Sequence, residues 1–176
     1  KTFLVPYLHE LENKYGGTFS DEQKKKILNY YGLFITSFLC SSYTRLHGRQ
    51  LTDSERKRAT LFGILTPVGD DLFDIDKLDM ESIRAITYDP QNYTASTFSA
   101  HVAKEIQSFL LADVPHKEAY LQAAKNVLDI QIETARQTDP AISVQELEHI
   151  TYTKGAVSVI IYHQCLDDVA DEQMKQ

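Results

Sequence analysis

Three Ser or Thr residues that precede a helical run are followed, three positions on, by Gln or Glu: Ser20 with Gln23, Thr52 with Glu55, and Ser143 with Glu146. Each pair precedes a run whose apolar residues recur at helical spacing. That is the capping box, in which the hydroxyl accepts from a backbone N–H of the first turn and the longer side chain answers to the cap. A chain that signals helix starts this often, with no convincing alternation of apolar and polar residues, is predicted to be all-α. Only 7 glycines and 5 prolines in 176 residues leave little material for a turn-rich β architecture.

The helices follow from these signals. A first helix over Phe3–Lys14 stops at Gly16-Gly17. A second, opened by Ser20, runs to about His47 and stops at Gly48, with Ile27, Tyr30, Tyr31, Phe34, Ile35, Phe38 and Leu39 as its apolar face. A third, opened by Thr52, carries Ala59, Phe62, Gly63, Ile64 and Leu65, and Pro67 is expected to kink or divide it. Asp89–Thr97 reads as loop. Helices over Ser99–Ala112 and Lys117–Gln137 follow, the latter with Tyr120, Ala123, Ala124, Val127, Ile130 and Gln131 facing inward. After a turn at Asp139-Pro140, the last helix runs from Ser143 to about Leu166. The expected architecture is an antiparallel helical bundle, one domain over residues 1–176, cut from a longer chain and incomplete at its C-terminus.

Apolar residues make up 43% of the chain, enough for a sizeable core. The net charge of -7 argues against a nucleic-acid ligand, which needs a basic face. An anionic substrate remains compatible if a metal cation stands between it and the acidic protein. Cys40 and Cys165 lie in apolar stretches and read as reduced, buried thiols, so a cytoplasmic location is expected. No apolar run is long enough to span a membrane.

The stretch Leu65-Thr66-Pro67-Val68-Gly69-Asp70-Asp71-Leu72-Phe73-Asp74 is the most informative. On a helix, positions i and i+4 lie about 40° apart around the axis, so Asp70 and Asp74 share a face and Asp71 flanks them. Carboxylates this close repel one another, and beside an apolar run they call for a cation. Hard oxygen ligands suit Mg²⁺, which takes one or two carboxylates and fills its other positions with water and phosphate oxygens. The plain alternative is a solvated acidic face continued by Asp76 and Asp79.

Asp70-Asp71-Leu72-Phe73-Asp74 resembles the first metal motif of the class I isoprenoid synthase superfamily, in the DDxFD form common in bacterial terpene cyclases. Tyr152-Thr153-Lys154-Gly155-Ala156-Val157-Ser158 is similar to the Lys-Gly segment at which these enzymes break a helix near the diphosphate. The resemblance implies Mg²⁺ held by Asp70, Asp71 and Asp74, a prenyl diphosphate substrate, and ionisation of its C–O bond by cyclase or prenyl-transfer chemistry. It implies Lys154 and Arg136 as diphosphate contacts. Phe34, Phe38, Phe62 and Phe73 become candidates to line the hydrocarbon cavity, although aromatics at helical spacing are more often plain core. Asp167-Asp168-Val169-Ala170-Asp171 has the letters of a second metal motif but follows Lys154 too closely. It reads as a polar helix end, and the second motif is expected beyond residue 176.

Two other functions stay open on the sequence. One is a non-catalytic helical domain of the same fold that binds a lipid or a protein partner. The other is an unrelated bundle with an acidic surface patch. Oligomeric state, a homodimer included, is not written in any motif.

Overall fold

The computed structural model describes residues 3–167, and among these every regular element is helical. In order they are α1 (Leu4–Tyr15), α2 (Asp21–Lys25), a π-helix π1 (Lys26–Cys40), α3 (Ser41–Leu46), α4 (Asp53–Asp74), α5 (Met80–Tyr88), α6 (Phe98–Asp113), α7 (Lys117–Thr134), a 3₁₀ turn (Ala135–Thr138) and α8 (Val144–His163). No described helix is long and apolar enough to cross a membrane. The chain divides into two compact units, residues 1–113 and 114–176.

The caps form where the sequence places them. Ser20 accepts from the N–H of Gln23, and Thr52 from that of Glu55, each with the reciprocal bond of a full capping box. Gly16 and Gly48 take the left-handed conformation (φ 65° and 71°) that stops α1 and α3. At Ser143 only half of the box forms. Its hydroxyl accepts from the N–H of Glu146, while the Glu146 carboxylate pairs with Arg136 instead. Nor does Pro67 divide α4, which runs unbroken from Asp53 to Asp74. Proline forfeits the bond to the carbonyl four residues back, here that of Gly63, and the next hydroxyl, Thr66 Oγ1, donates to Phe62 O at 3.1 Å.

The departure of largest consequence is π1. Residues 21–46 form one uninterrupted rod, but its middle is wound with i→i+5 bonds. Widening to roughly 4.4 residues per turn rotates positions away from α-helical expectation. Ile27 stays buried and Tyr31, Ile35 and Leu39 are half-buried, forming an i+4 row toward the core. Tyr30, Phe34 and Phe38 form a second row that faces outward. Gly32 fits this winding closely: a Cβ there would come within 2.6 Å of Leu4 Cδ2 and 2.7 Å of Ile27 O.

In the first unit α4 packs against both π1 and α6. The core combines Leu61, Ile64, Val68 and Leu72 of α4 with Val102, Ile106 and Leu110 of α6, together with Leu8, Leu11 and Ile27. In the second unit α7 packs on α8, burying Tyr120, Ala123, Ala124 and Ile130 as the inner-face pattern implies.

One polar cluster fixes α1 to α6. Glu105 accepts from Tyr7 Oη at 3.3 Å, from Lys14 Nζ at 2.6 Å and from Tyr15 Oη, and the Tyr15 ring stacks on His101 at 4.8 Å. Burial alone would raise the Glu105 carboxyl, but the bonds from Lys14 and Tyr15 outweigh it and hold the group below its usual range. Because the folded-state pKa lies below the unfolded one, this stabilisation is present above the ordinary carboxylate range. It is lost as pH falls through the folded value. Glu105→Gln is expected to cost about 1–2 kcal/mol at neutral pH. Urea midpoints of wild type and variant should converge on acidification; a gap that widens instead would contradict the assignment.

Candidate functional site

Asp70, Asp71 and Asp74 occupy the last turns of α4, with no basic residue in the last turn. This is the wrong end of a helix for carboxylates. The carbonyl end carries partial negative charge, and an acidic side chain there costs rather than gains about 0.3–1 kcal/mol. Asp70 and Asp71 are half-buried and Asp74 is exposed. A local rule broken three times within five residues is the kind of conflict that functional positions carry.

The surroundings come from the start of the rod. Gln23 Nε2 donates to Asp71 Oδ2, across 48 positions of sequence. The other end of the same amide, Oε1, accepts from Ser20 N at 2.6 Å, so the capping box orients Gln23 toward Asp71. Lys26 pairs with Glu22 at 2.9 Å. That bond, and then the charges of Asp70 and Asp71, raise its ammonium pKa. The Tyr31 hydroxyl is pushed up to about 12 by burial and by the charge of Asp70. Burial raises the Asp71 carboxyl above its usual range, and the charges of Asp76, Asp70 and Asp74 raise it further. Lys26 opposes this without cancelling it.

Beyond Asp74 the helix does not continue. Ile75–Leu78 is a turn containing Lys77 in the left-handed region (φ 51°). Asp76 accepts from the Thr97 hydroxyl, and Asp79 caps α5 by accepting from Ser82 N at 2.7 Å. These two carboxylates therefore close the turn and start a helix, and do not extend an acidic helical face.

The aromatic candidates are dispersed. Phe62 is core and Phe73 half-buried, both on α4, while Phe34 and Phe38 stack on each other at 5.4 Å on the exposed row of π1. A groove of about 390 Å³, lined in part by Leu4, Gly32, Thr36, Arg56 and Thr60, lies beside the opposite half of α4. Arg136 and Lys154 belong to the second unit. Arg136 is exposed in the 3₁₀ turn and ion-paired with Glu146. Lys154 is half-buried in α8, and its carbonyl accepts from Ser158 Oγ at 2.7 Å. Of the second aspartate cluster, Asp167 is exposed just past α8, and Asp168–Asp171 lie outside the described residues.

Among the described residues no three His, Cys, Asp or Glu side chains stand close enough together to hold a metal ion by themselves. A cation at Asp70 and Asp74 would thus draw on one or two carboxylates and take its remaining oxygens from elsewhere, which is the usual habit of Mg²⁺. The neighbours Gln23, Lys26 and Tyr31 escaped sequence reasoning. The one signal was the capping box, which says where Gln23 sits in its own helix but nothing about Asp71. Compared with protein-family models, curated proteins and solved structures, the chain has no match.

Proposed function

We propose that this chain is a Mg²⁺-dependent, class I isoprenoid synthase-like protein that binds and ionises a prenyl diphosphate through Asp70, Asp71 and Asp74. The observation that carries the reading is the crowding of carboxylates at one helix end. Three aspartates crowd the carbonyl end of α4, and Asp71 is held above its usual protonation range by burial and by its acidic neighbours. A divalent cation reverses that penalty. Asp70 and Asp74 share a helix face and would hold the ion, while Asp71, fixed by Gln23, adds charge beside it.

Bound there, Mg²⁺ supplies charge stabilisation for a departing diphosphate. The chain's own part is to fix the carboxylates on a helix end whose inner side is anchored by Val68 and Leu72. Cyclisation, chain elongation and head-to-head coupling are all compatible with the motif, whose DDxFD form leans slightly towards a cyclase.

Calorimetry with Mg²⁺ and a non-hydrolysable prenyl diphosphate tests this. Wild type should bind the pair together. Asp70→Ala/Asp74→Ala should weaken binding by about a hundredfold or more, the equivalent of losing two charged contacts. Equal binding by both proteins would remove the site.

A further inference from the structure

We propose that the outer ridge of the 21–46 rod docks onto the surface of an anionic phospholipid bilayer. Tyr30, Phe34 and Phe38 follow one another at i+4, with centroids 5.9 and 5.4 Å apart, and are 52%, 50% and 62% exposed. Leu33 and, one step beyond Ser42, Leu46 extend the apolar surface, at 50% and 86% exposed. Single exposed apolar residues need no explanation; a continuous ridge of large ones does.

The ridge exists because of the π winding. At α-helical pitch Phe34 and Phe38 would turn toward Ile27 and the core. At π pitch they separate from the Ile27–Tyr31–Ile35–Leu39 row and line up outside.

Charge identifies the occupant. No charged residue lies between Lys26 and Arg45. Lysines 24, 25 and 26 precede the segment, and Arg45, His47 and Arg49 close it. Lys24 is engaged by Glu12 and Lys26 by Glu22 and the Asp70–Asp71 charges, and Arg49 by Glu55. Exposed Lys25 and Arg45 bracket the ridge, Lys25 within the field of Glu22 and with exposed Asp21 one turn before it. A cation at each end of an uncharged apolar ridge suits a negatively charged, greasy partner. Tyr and Phe rings partition to the headgroup–acyl boundary, and flanking basic side chains reach the lipid phosphates. The contact is peripheral, in keeping with the lack of a membrane-crossing helix among the described residues. It does not depend on the cation site proposed above.

Flotation of the full chain with phosphatidylcholine vesicles, with and without phosphatidylglycerol, tests the proposal. Wild type should float with the mixed vesicles and far less with phosphatidylcholine alone. Phe34→Ser/Phe38→Ser should weaken partitioning about tenfold or more, since both rings lose their apolar contact. Lys25→Glu/Arg45→Glu should weaken it by about fivefold or more per cation, on the anionic vesicles only. All four residues are exposed, so circular dichroism of the variants should match wild type. A wild type that stays at the bottom of the gradient overturns the proposal, as does flotation unchanged by both variants. So does a wild-type dimer in sedimentation equilibrium that Phe34→Ser/Phe38→Ser dissociates without any vesicle binding, which would make the ridge an interface between copies.

Discussion

Arg49→Met should lower the stability of the first unit by about 3–5 kcal/mol, the usual consequence of stripping a buried charge of its partner. Glu55 is 0% exposed, although it sits in the first turn of α4. Its carboxylate accepts from Arg49 Nη1 at 2.8 Å and Nη2 at 2.6 Å, a two-pronged geometry only a guanidinium provides. The backbone N–H of Thr52 supplies a further bond at 2.8 Å. Without Arg49, the carboxylate would lose both prongs of its guanidinium contact while staying fully buried. The test is chemical denaturation followed by circular dichroism, with hydrogen exchange of the α4 amides to assign the loss to this unit. Arg49→Met/Glu55→Gln should recover much of the loss, because glutamine still caps Thr52 and carries no charge. A single variant that loses under about 1 kcal/mol would mean that the pair is no more than a surface ion pair.

The same turn shows what sequence alone could and could not deliver. Thr52 and Glu55 announce the helix start because a capping box is made of neighbours. The same locality explains why Ser20–Gln23, the glycine stops at Gly16 and Gly48, and the inner face of α7 read correctly. It also explains why Ser143–Glu146 read only half correctly, since Arg136 takes the Glu146 carboxylate. The π winding had no local signal. Its residues are ordinary helix-compatible types, and an α-helical period places Phe34 and Phe38 on a face they do not occupy. The acidic triplet was legible as letters. Its environment was not, because Gln23, Lys26 and Tyr31 reach it from the neighbouring rod. Asp76 and Asp79 show the same limit: aspartates look alike in sequence whether they extend a helix face, accept from Thr97 or cap α5.

Leu72→Ala is expected to cost about 2–5 kcal/mol, the range for truncating a buried leucine and leaving a cavity. Leu72 is 3% exposed and, two residues from each of Asp70 and Asp74, lies on roughly the opposite side of α4 from that pair. Its carbonyl also accepts from Leu78 N at 2.9 Å, and that of Asp71 accepts from the N–H groups of Ile75 and Asp76, both at 2.9 Å. One side chain thus anchors a helix end whose other face is destabilised by its own charge. Hydrogen exchange should show the loss concentrated in the last turns of α4 and in Ile75–Leu78, with smaller changes near Thr52. Phe73→Ala, at a half-buried position, should cost less. If Leu72→Ala proved as mild as Phe73→Ala, the carboxylates would be riding on a frayed end, and a helix end that frays cannot hold Asp70 and Asp74 in fixed register for a cation. A large, localised loss would instead mean that packing beneath the motif maintains an arrangement its electrostatics oppose.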